Sequence, residues 1–244
     1  MDPGSLVILI GLPAMYLVFM GSMFPSIIPS FDIGAQSFDY VSYLAPGIIA
    51  FQTVMAGTMG GSMLWVDRRF GMFSQILSGP FTRTQYLLGI MVATTSASLI
   101  GALVMFAIAV PLGSAMSFTL LGVGLVLMNL IVGGVFFCSL LLFIAARVRS
   151  NNAYNSIQIL VIFIINFVSD VFYPITSATP LPLRIFSYVN PLTYIADGIR
   201  AGLVPPSQAF SLWHPVEGVV LIAETVLMFA LAYITYNNVR TSKA

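Results

Sequence analysis

Charge is scarce in this chain. Only 7% of its 244 residues are Asp, Glu, Lys or Arg, against roughly 25% in an ordinary soluble domain, so a fold with a solvated, charged surface is excluded. Lysine is scarcer still, the only one being Lys243 in the polar C-terminal tail. A phosphate-cradling G-x-x-x-x-G-K-[ST] loop needs a lysine at the start of its helix to reach the nucleotide, and the tail offers no such setting, which excludes that mode of ATP binding. One histidine, His214, and one cysteine, Cys138, exclude a clustered His/Cys metal site of the usual kind, an intrachain disulfide and a redox thiol pair. Cys138 lies in an apolar run and reads as a small buried side chain. His214, beside Trp213 at the start of the last run, reads as interfacial. The formal net charge of +1 supplies neither a basic field for nucleic acid nor an acidic tail.

What is abundant is apolar surface, at 59% of residues. A helix needs about 20 apolar residues to cross roughly 30 Å of hydrocarbon with every backbone amide satisfied inside the segment. Six stretches qualify, at 5–24, 41–66, 86–112, 119–146, 154–173 and 216–236. The expected fold is all-α, a polytopic membrane protein whose residues 1–244 make one membrane domain. The first run lacks the basic flank of a signal peptide and is read as a retained span. Arg68, Arg69, Arg83, Arg147, Arg149, Arg240 and Lys243 put seven of nine basic residues on one side of this plan. Positively charged loops stay cytoplasmic, so both termini are expected in the cytoplasm of a cell-membrane protein.

Two connections carry structure of their own. In the basic segment from Asp67 to Gln85, Phe70, Phe73, Ile76 and Leu77 recur at helical spacing, and Gly79 and Pro80 follow as a stop, which predicts a short amphipathic helix at the membrane surface. On the other side, Pro174 to Pro215 holds the apolar stretches 183–189 and 192–203, too short to cross and suited to re-entrant or interfacial helices. Ionisable groups inside a bilayer cost at least ~2.5 kcal/mol on insertion scales. Glu224, two turns into the sixth run, therefore reads as a pathway group or as a polar contact holding the bundle. Asp170 reads as interfacial. Asn129 and Asn166, with Gln52 and Gln158, suit hydrogen bonds between helices at ~1 kcal/mol each. Gly57 and Gly61 form a GxxxG pair that permits close helix approach.

The stretch from Tyr43 to Gly89, YLAPGIIAFQTVMAGTMGGSMLWVDRRFGMFSQILSGPFTRTQYLLG, resembles the signature region of the ABC type-2 transporter permeases, through Pro46, Gly47, Asp67, Gly71, Pro80 and the run Tyr86, Leu87, Leu88, Gly89. A second stretch, FSYVNPLTYIADGIRAGL from Phe186 to Leu203, is similar to the family's Asn-Pro-Leu-Thr-Tyr motif before the last span. The resemblance runs over essentially the whole chain. It departs where Asp67 replaces the family's usual Glu and where Ile90 takes a position that is often basic. What it implies is the membrane subunit of an exporter of drugs, lipids or glycans, paired with a second, identical or similar permease, embedded in membrane lipid and docked to an ABC ATPase subunit. That partner would bind the ATP and Mg, and this chain no cofactor. Asp67, Arg68, Arg69, Phe70, Gly71, Phe73, Ile76, Leu77 and Pro80 would form the coupling segment that enters the ATPase, and the helices after Pro174 would close the outer end of the pathway. An ion-gradient-driven transporter or channel using Glu224 is the alternative. A membrane enzyme lacks a nucleophile, base or metal constellation.

Overall fold

A chain that places its backbone in hydrocarbon must close its hydrogen bonds locally, and six long helices do so here. The structure, a computed structural model, describes residues 3–27, 30–33, 36–148, 150–176, 179–204 and 213–237. The spans are α1 (Pro3–Met23), α2 (Tyr40–Arg69), α4 (Arg83–Ala109), α5 (Leu120–Arg147), α6 (Asn151–Val168) and α9 (Pro215–Asn237). Among the described residues, three short α-helices lie between them, α3 (Met72–Ser78), α7 (Leu181–Ser187) and α8 (Pro191–Leu203). Hydropathy did not foresee the antiparallel hairpin between α1 and α2, in which β1 (Ser30–Ile33) pairs with β2 (Gln36–Asp39) in the register Ser30 opposite Asp39.

All six expected spans are present, and their ends follow capping chemistry more closely than hydropathy. α2 begins where the Asp39 carboxylate accepts from Ser42 N at 3.0 Å. It runs three residues beyond its expected end, so Asp67, Arg68 and Arg69 form its last turn. α4 starts at Arg83 because Thr82 and Gln85 form a reciprocal capping box, Gln85 N donating to Thr82 Oγ1 at 3.2 Å and Thr82 N to Gln85 Oε1 at 2.8 Å. It stops at Ala109, short of the expected 112, just before Pro111, whose ring removes a donor. The fifth span, expected to reach 173, ends at Val168. Ser169 is extended there, and the carbonyls of Asp170 and Val171 are taken by Arg200, so no further helical turn forms.

α2 is the hub. Its most apolar stretch is 89% buried, against 22% for α1 and 11% for α6, so α1 and α6 present most of their apolar surface outward. The GxxxG pair works inside the chain, packing α2 on α5. A β-carbon at Gly57 would stand 2.7 Å from Phe137 Cβ and 2.8 Å from its carbonyl carbon, a backbone obstacle that no rotamer change relieves. Gly57→Ala is expected to cost about 1–3 kcal/mol through overpacking. Gly124→Ala on the open face of α5, where nothing lies within 4 Å, makes the same chemical change without cost. Midpoints of thermal unfolding in detergent separate the two, and equal midpoints would contradict this packing.

α8 is short yet buried along nearly its whole length. It lies antiparallel against α5, with Ile195 at Gly133, Asn129 at Gly198 and the Gly202 carbonyl at Gly122. From Leu120 to Gly133 α5 rises about 20 Å, so the first turn of α8 packs well along the length of that helix. The leading amides of α8, buried among the spans, need a partner. Asn190 provides one, its Oδ1 accepting from Leu192 N at 3.1 Å while its Nδ2 donates to the Ile165 carbonyl at 2.6 Å. The Asn-Pro pair thus caps α8 and ties it to α6.

Candidate functional site

At the arginine-rich end, the chain leaves α2 and re-enters the bundle as α4 through 13 residues. Phe70 ends α2, and its side chain is 74% exposed. Gly71 then adopts φ 72°, a left-handed conformation that glycine takes without the Cβ clash, and the turn redirects the chain into α3. Gly79 in extended geometry and Pro80 end that helix. A short helix is therefore present where one is expected, and it is shorter than its motif because Phe70 belongs to the end of α2. Ile76 is half-buried, and Met72, Phe70 and Phe81 are exposed. The side chains of Phe73 and Leu77 lie outside the described residues.

Both feet of this segment are fastened to the spans. Tyr86 Oη donates to Asp67 Oδ2 at 2.5 Å, joining the last turn of α2 to the first turn of α4. Tyr86 also stacks on Tyr236 of α9, with rings 6.2 Å apart and inclined by 10°, and Arg83 Nη1 donates to the Asn237 carbonyl at 3.0 Å. Arg68 turns inward, with Nη1 3.4 Å from the Ala145 carbonyl in the last turn of α5 and its guanidinium over Trp65. Arg69 stays exposed over the Phe70 ring. Beneath the segment, Leu64, Leu87, Ile90, Cys138, Leu142, Tyr154 and Tyr236 make a compact apolar seat. These contacts hold the adjoining ends of α2, α4, α5 and α9 together on either side of α3.

The profile of the ABC-2 type transporter family matches residues 2–204. The chain belongs to this family. No curated protein matches it significantly. It is therefore a multi-pass ABC permease, a transport subunit whose family membership implies an ABC ATPase partner.

The polar residues that the sequence singles out inside this permease do not converge on one centre. Asn166, 3% exposed, faces a cleft of about 220 Å³ between α1, α2 and α6, together with Gln158, Thr58, Tyr16, Phe51 and Phe163. Asn166 Oδ1 and Gln158 Oε1 have no hydrogen-bond partner among the described residues. Asn129 lies instead at the α5–α8 contact, donating to the Leu125 carbonyl at 2.9 Å. Glu224 is half-buried on α9, and its Oε2 has no partner among the described residues. Burial first, then Glu224 and Glu217, push the Tyr194 phenol of α8 above its ordinary value, which sets both carboxylates near that helix.

One cluster escaped the sequence reading. Arg200, 3% exposed, binds Asp170 Oδ2 through Nη1 at 2.5 Å and Asp197 Oδ1 through the same nitrogen at 2.9 Å. Its Nη2 donates to the Asp170 carbonyl at 2.9 Å, its Nε to the Tyr43 carbonyl at 3.3 Å, and its plane lies 3.9 Å from the Tyr43 ring centre. Asp170 is thus a buried partner in an ion pair, 6% exposed, a pairing that its position at the end of a span does not announce. The available signal was the i, i+3 pair Asp197 and Arg200 inside an otherwise apolar segment, opposite a lone Asp170 at the end of a span.

Proposed function

We propose that this permease exports an amphipathic or lipid-like molecule, powered by ATP that a separate ABC ATPase hydrolyses, and that the segment from Asp67 to Pro80 is where that ATPase docks. The observation that carries this reading is the double fastening of the segment. Asp67–Tyr86 and Arg83–Asn237 bind its feet to α2, α4 and α9, so a push on α3 reaches the spans as a rigid displacement and not as a loop motion. The clustering of arginines supports a cytoplasmic placement of this end and of both termini. Exposed Phe70, Met72 and Phe81 give the ATPase apolar anchors, and Arg69 a charge at the rim.

The cargo class follows from the cleft between α1, α2 and α6. Its aromatic and aliphatic walls suit an apolar body, and the few polar residues of its lining, Tyr16, Thr58, Gln158 and Asn166, suit a molecule with a small polar part, the pattern of an amphipathic ligand site. A small ion would find no charged ligand there. The outward apolar faces of α1 and α6, including Met15, Phe19, Leu160 and Ile164, suit a second permease, identical or similar, across which two such clefts join. ATP-driven closure of paired ATPases then shifts the population between inward-open and outward-open arrangements, because the docked segment contacts the two differently.

Reconstitution tests this. Proteoliposomes holding the permease alone should leave a fluorescent phospholipid or amphipathic dye where it is, and adding its ABC ATPase with Mg-ATP should start transport. Movement of the probe by the permease alone under a proton or sodium gradient would replace this reading with the secondary-transporter one.

A further inference from the structure

Two carboxylates and one cation meet at the far end of α8. Asp170 Oδ2 and Asp197 Oδ1 are both held against Arg200 Nη1, at 2.5 and 2.9 Å. One guanidinium balances one carboxylate, so a second negative charge is left in a buried place. Such a charge is relieved by taking up a proton. The geometry leaves room for it, since Asp170 Oδ1 is buried and has no hydrogen-bond partner among the described residues. It also leaves a way in, since the Asp197 side chain is 23% exposed while those of Arg200 and Asp170 are 3% and 8% exposed.

Among the described residues, no neighbouring element supplies a second cation to this cluster. From α2 comes Tyr43, whose ring covers the guanidinium and whose Oη donates to the Asp170 carbonyl at 2.7 Å. From α9 comes Glu217, a like charge felt by Asp197. His214 stands beside Glu217, and Glu224 beside Tyr194. Tyr173 follows Asp170 in the chain, and α5 contributes only neutral Asn129.

We propose that Asp170 and Asp197 form a proton-binding site, and that the bound proton fastens the re-entrant helix α8 to α2 and to the turn after α6. With the proton in place the triad is neutral and Arg200 spans all three elements. Without it, Asp197 and Asp170 repel across one nitrogen, and the least costly relief is rotation of Asp197 toward water. Arg200 sits one turn away on the same helix, so that rotation also strains its contacts with Tyr43 and Val171.

The sign is fixed by linkage. Burial first, and Asp170 next, push the Asp197 carboxyl well above the usual carboxylate range, with Arg200 opposing. A carboxyl raised in the folded state contributes stability that is fully present below its unfolded value of about 4 and is lost as pH rises toward its folded value. α8 is therefore held in acid and released in alkali. This rests on the cluster alone, so it stands whether or not the chain exports.

The full chain in lipid nanodiscs, where both faces meet the same buffer, gives the test. Infrared difference spectra should show a protonated-carboxyl band near neutral pH that disappears in Asp197→Asn or Asp170→Asn. The thermal midpoint should fall as the buffer rises from about pH 5 to pH 9, the held-to-released ratio changing by up to about tenfold per pH unit for one proton. Asp197→Asn keeps an acceptor for Arg200 and should flatten that slope. No such band in the unmodified chain, a band surviving both Asn variants, its loss in Glu217→Gln or Glu224→Gln instead, or an unchanged slope in Asp197→Asn would each overturn the proposal. Should Asp170→Asn not fold, the unmodified chain and Asp197→Asn still decide the matter.

Discussion

Replacing Arg200 with methionine is expected to destabilise the permease by about 3–5 kcal/mol, the range for removing one partner of a buried ion pair. Methionine matches the aliphatic stem, so little of the loss comes from packing. It comes from the Asp170 carboxyl, which is 6% exposed and loses the guanidinium that faces it, and from the Val171 carbonyl, which loses its Arg200 donor; the Tyr43 and Asp170 carbonyls each lose one donor, and Asp170 keeps the Tyr43 hydroxyl. Each buried acceptor left unpaired costs about 1–3 kcal/mol. Arg69→Met is the control, because Arg69 is exposed and surface changes of this kind stay within about 0.5 kcal/mol. Adding Asp170→Asn to Arg200→Met should restore part of the loss, since the orphaned carboxyl is then gone and the two sites are coupled. Denaturant unfolding of the purified variants in detergent measures all three. Equal stability of Arg200→Met and Arg69→Met would mean that Arg200 does not hold α8 to α2.

That cluster also marks where sequence reading runs out. The six spans were legible because an apolar run of the right length has one way to satisfy its backbone in a bilayer. Their ends were less so, because they depend on Asp39, Thr82 and Thr119 as caps and on Pro111 as a stop, all of which score poorly on hydropathy. The short helix near Gly71 was readable from its spacing, and its exact start was not, because the left-handed turn at Gly71 puts Phe70 on the other side of the break. Arg200 and Asp170 are 30 residues apart, and Arg200 and Tyr43 are 157 apart. No local pattern encodes such a meeting, so Asp170 looked interfacial on its own. Glu224 illustrates the converse. It is conspicuous in the sequence, yet it sits near Tyr194 with an unpartnered Oε2 among the described residues and belongs to no ion pair there. The GxxxG pair was visible as a close-approach motif, and only the fold assigns its partner, Phe137 of α5, in the same chain.

Ile76→Asp is expected to abolish ATP-driven transport and substrate-stimulated ATPase activity while leaving the fold intact. Ile76 is half-buried on a helix of about two turns at the surface of the protein, so a carboxylate there remains hydrated in the free permease and costs little. Once an ATPase covers α3, the same carboxylate is trapped in an apolar contact with no cation built to meet it, and a buried charge of that kind is strongly opposed. Loss of one central apolar anchor already costs about 2 kcal/mol, or about thirtyfold in affinity. Phe73→Asp, three residues earlier on the same helix, should act in the same way. Tyr86→Phe separates docking from transmission. It deletes the hydroxyl that donates to Asp67 and leaves α3 itself untouched, so the ATPase should still bind while its hydrolysis no longer responds to cargo. Pull-down of the ATPase, basal and stimulated hydrolysis, and transport in proteoliposomes distinguish the two defects. Full coupling in Ile76→Asp would mean that force enters the permease elsewhere, and full coupling in Tyr86→Phe would mean that the Asp67–Tyr86 bond does not carry it.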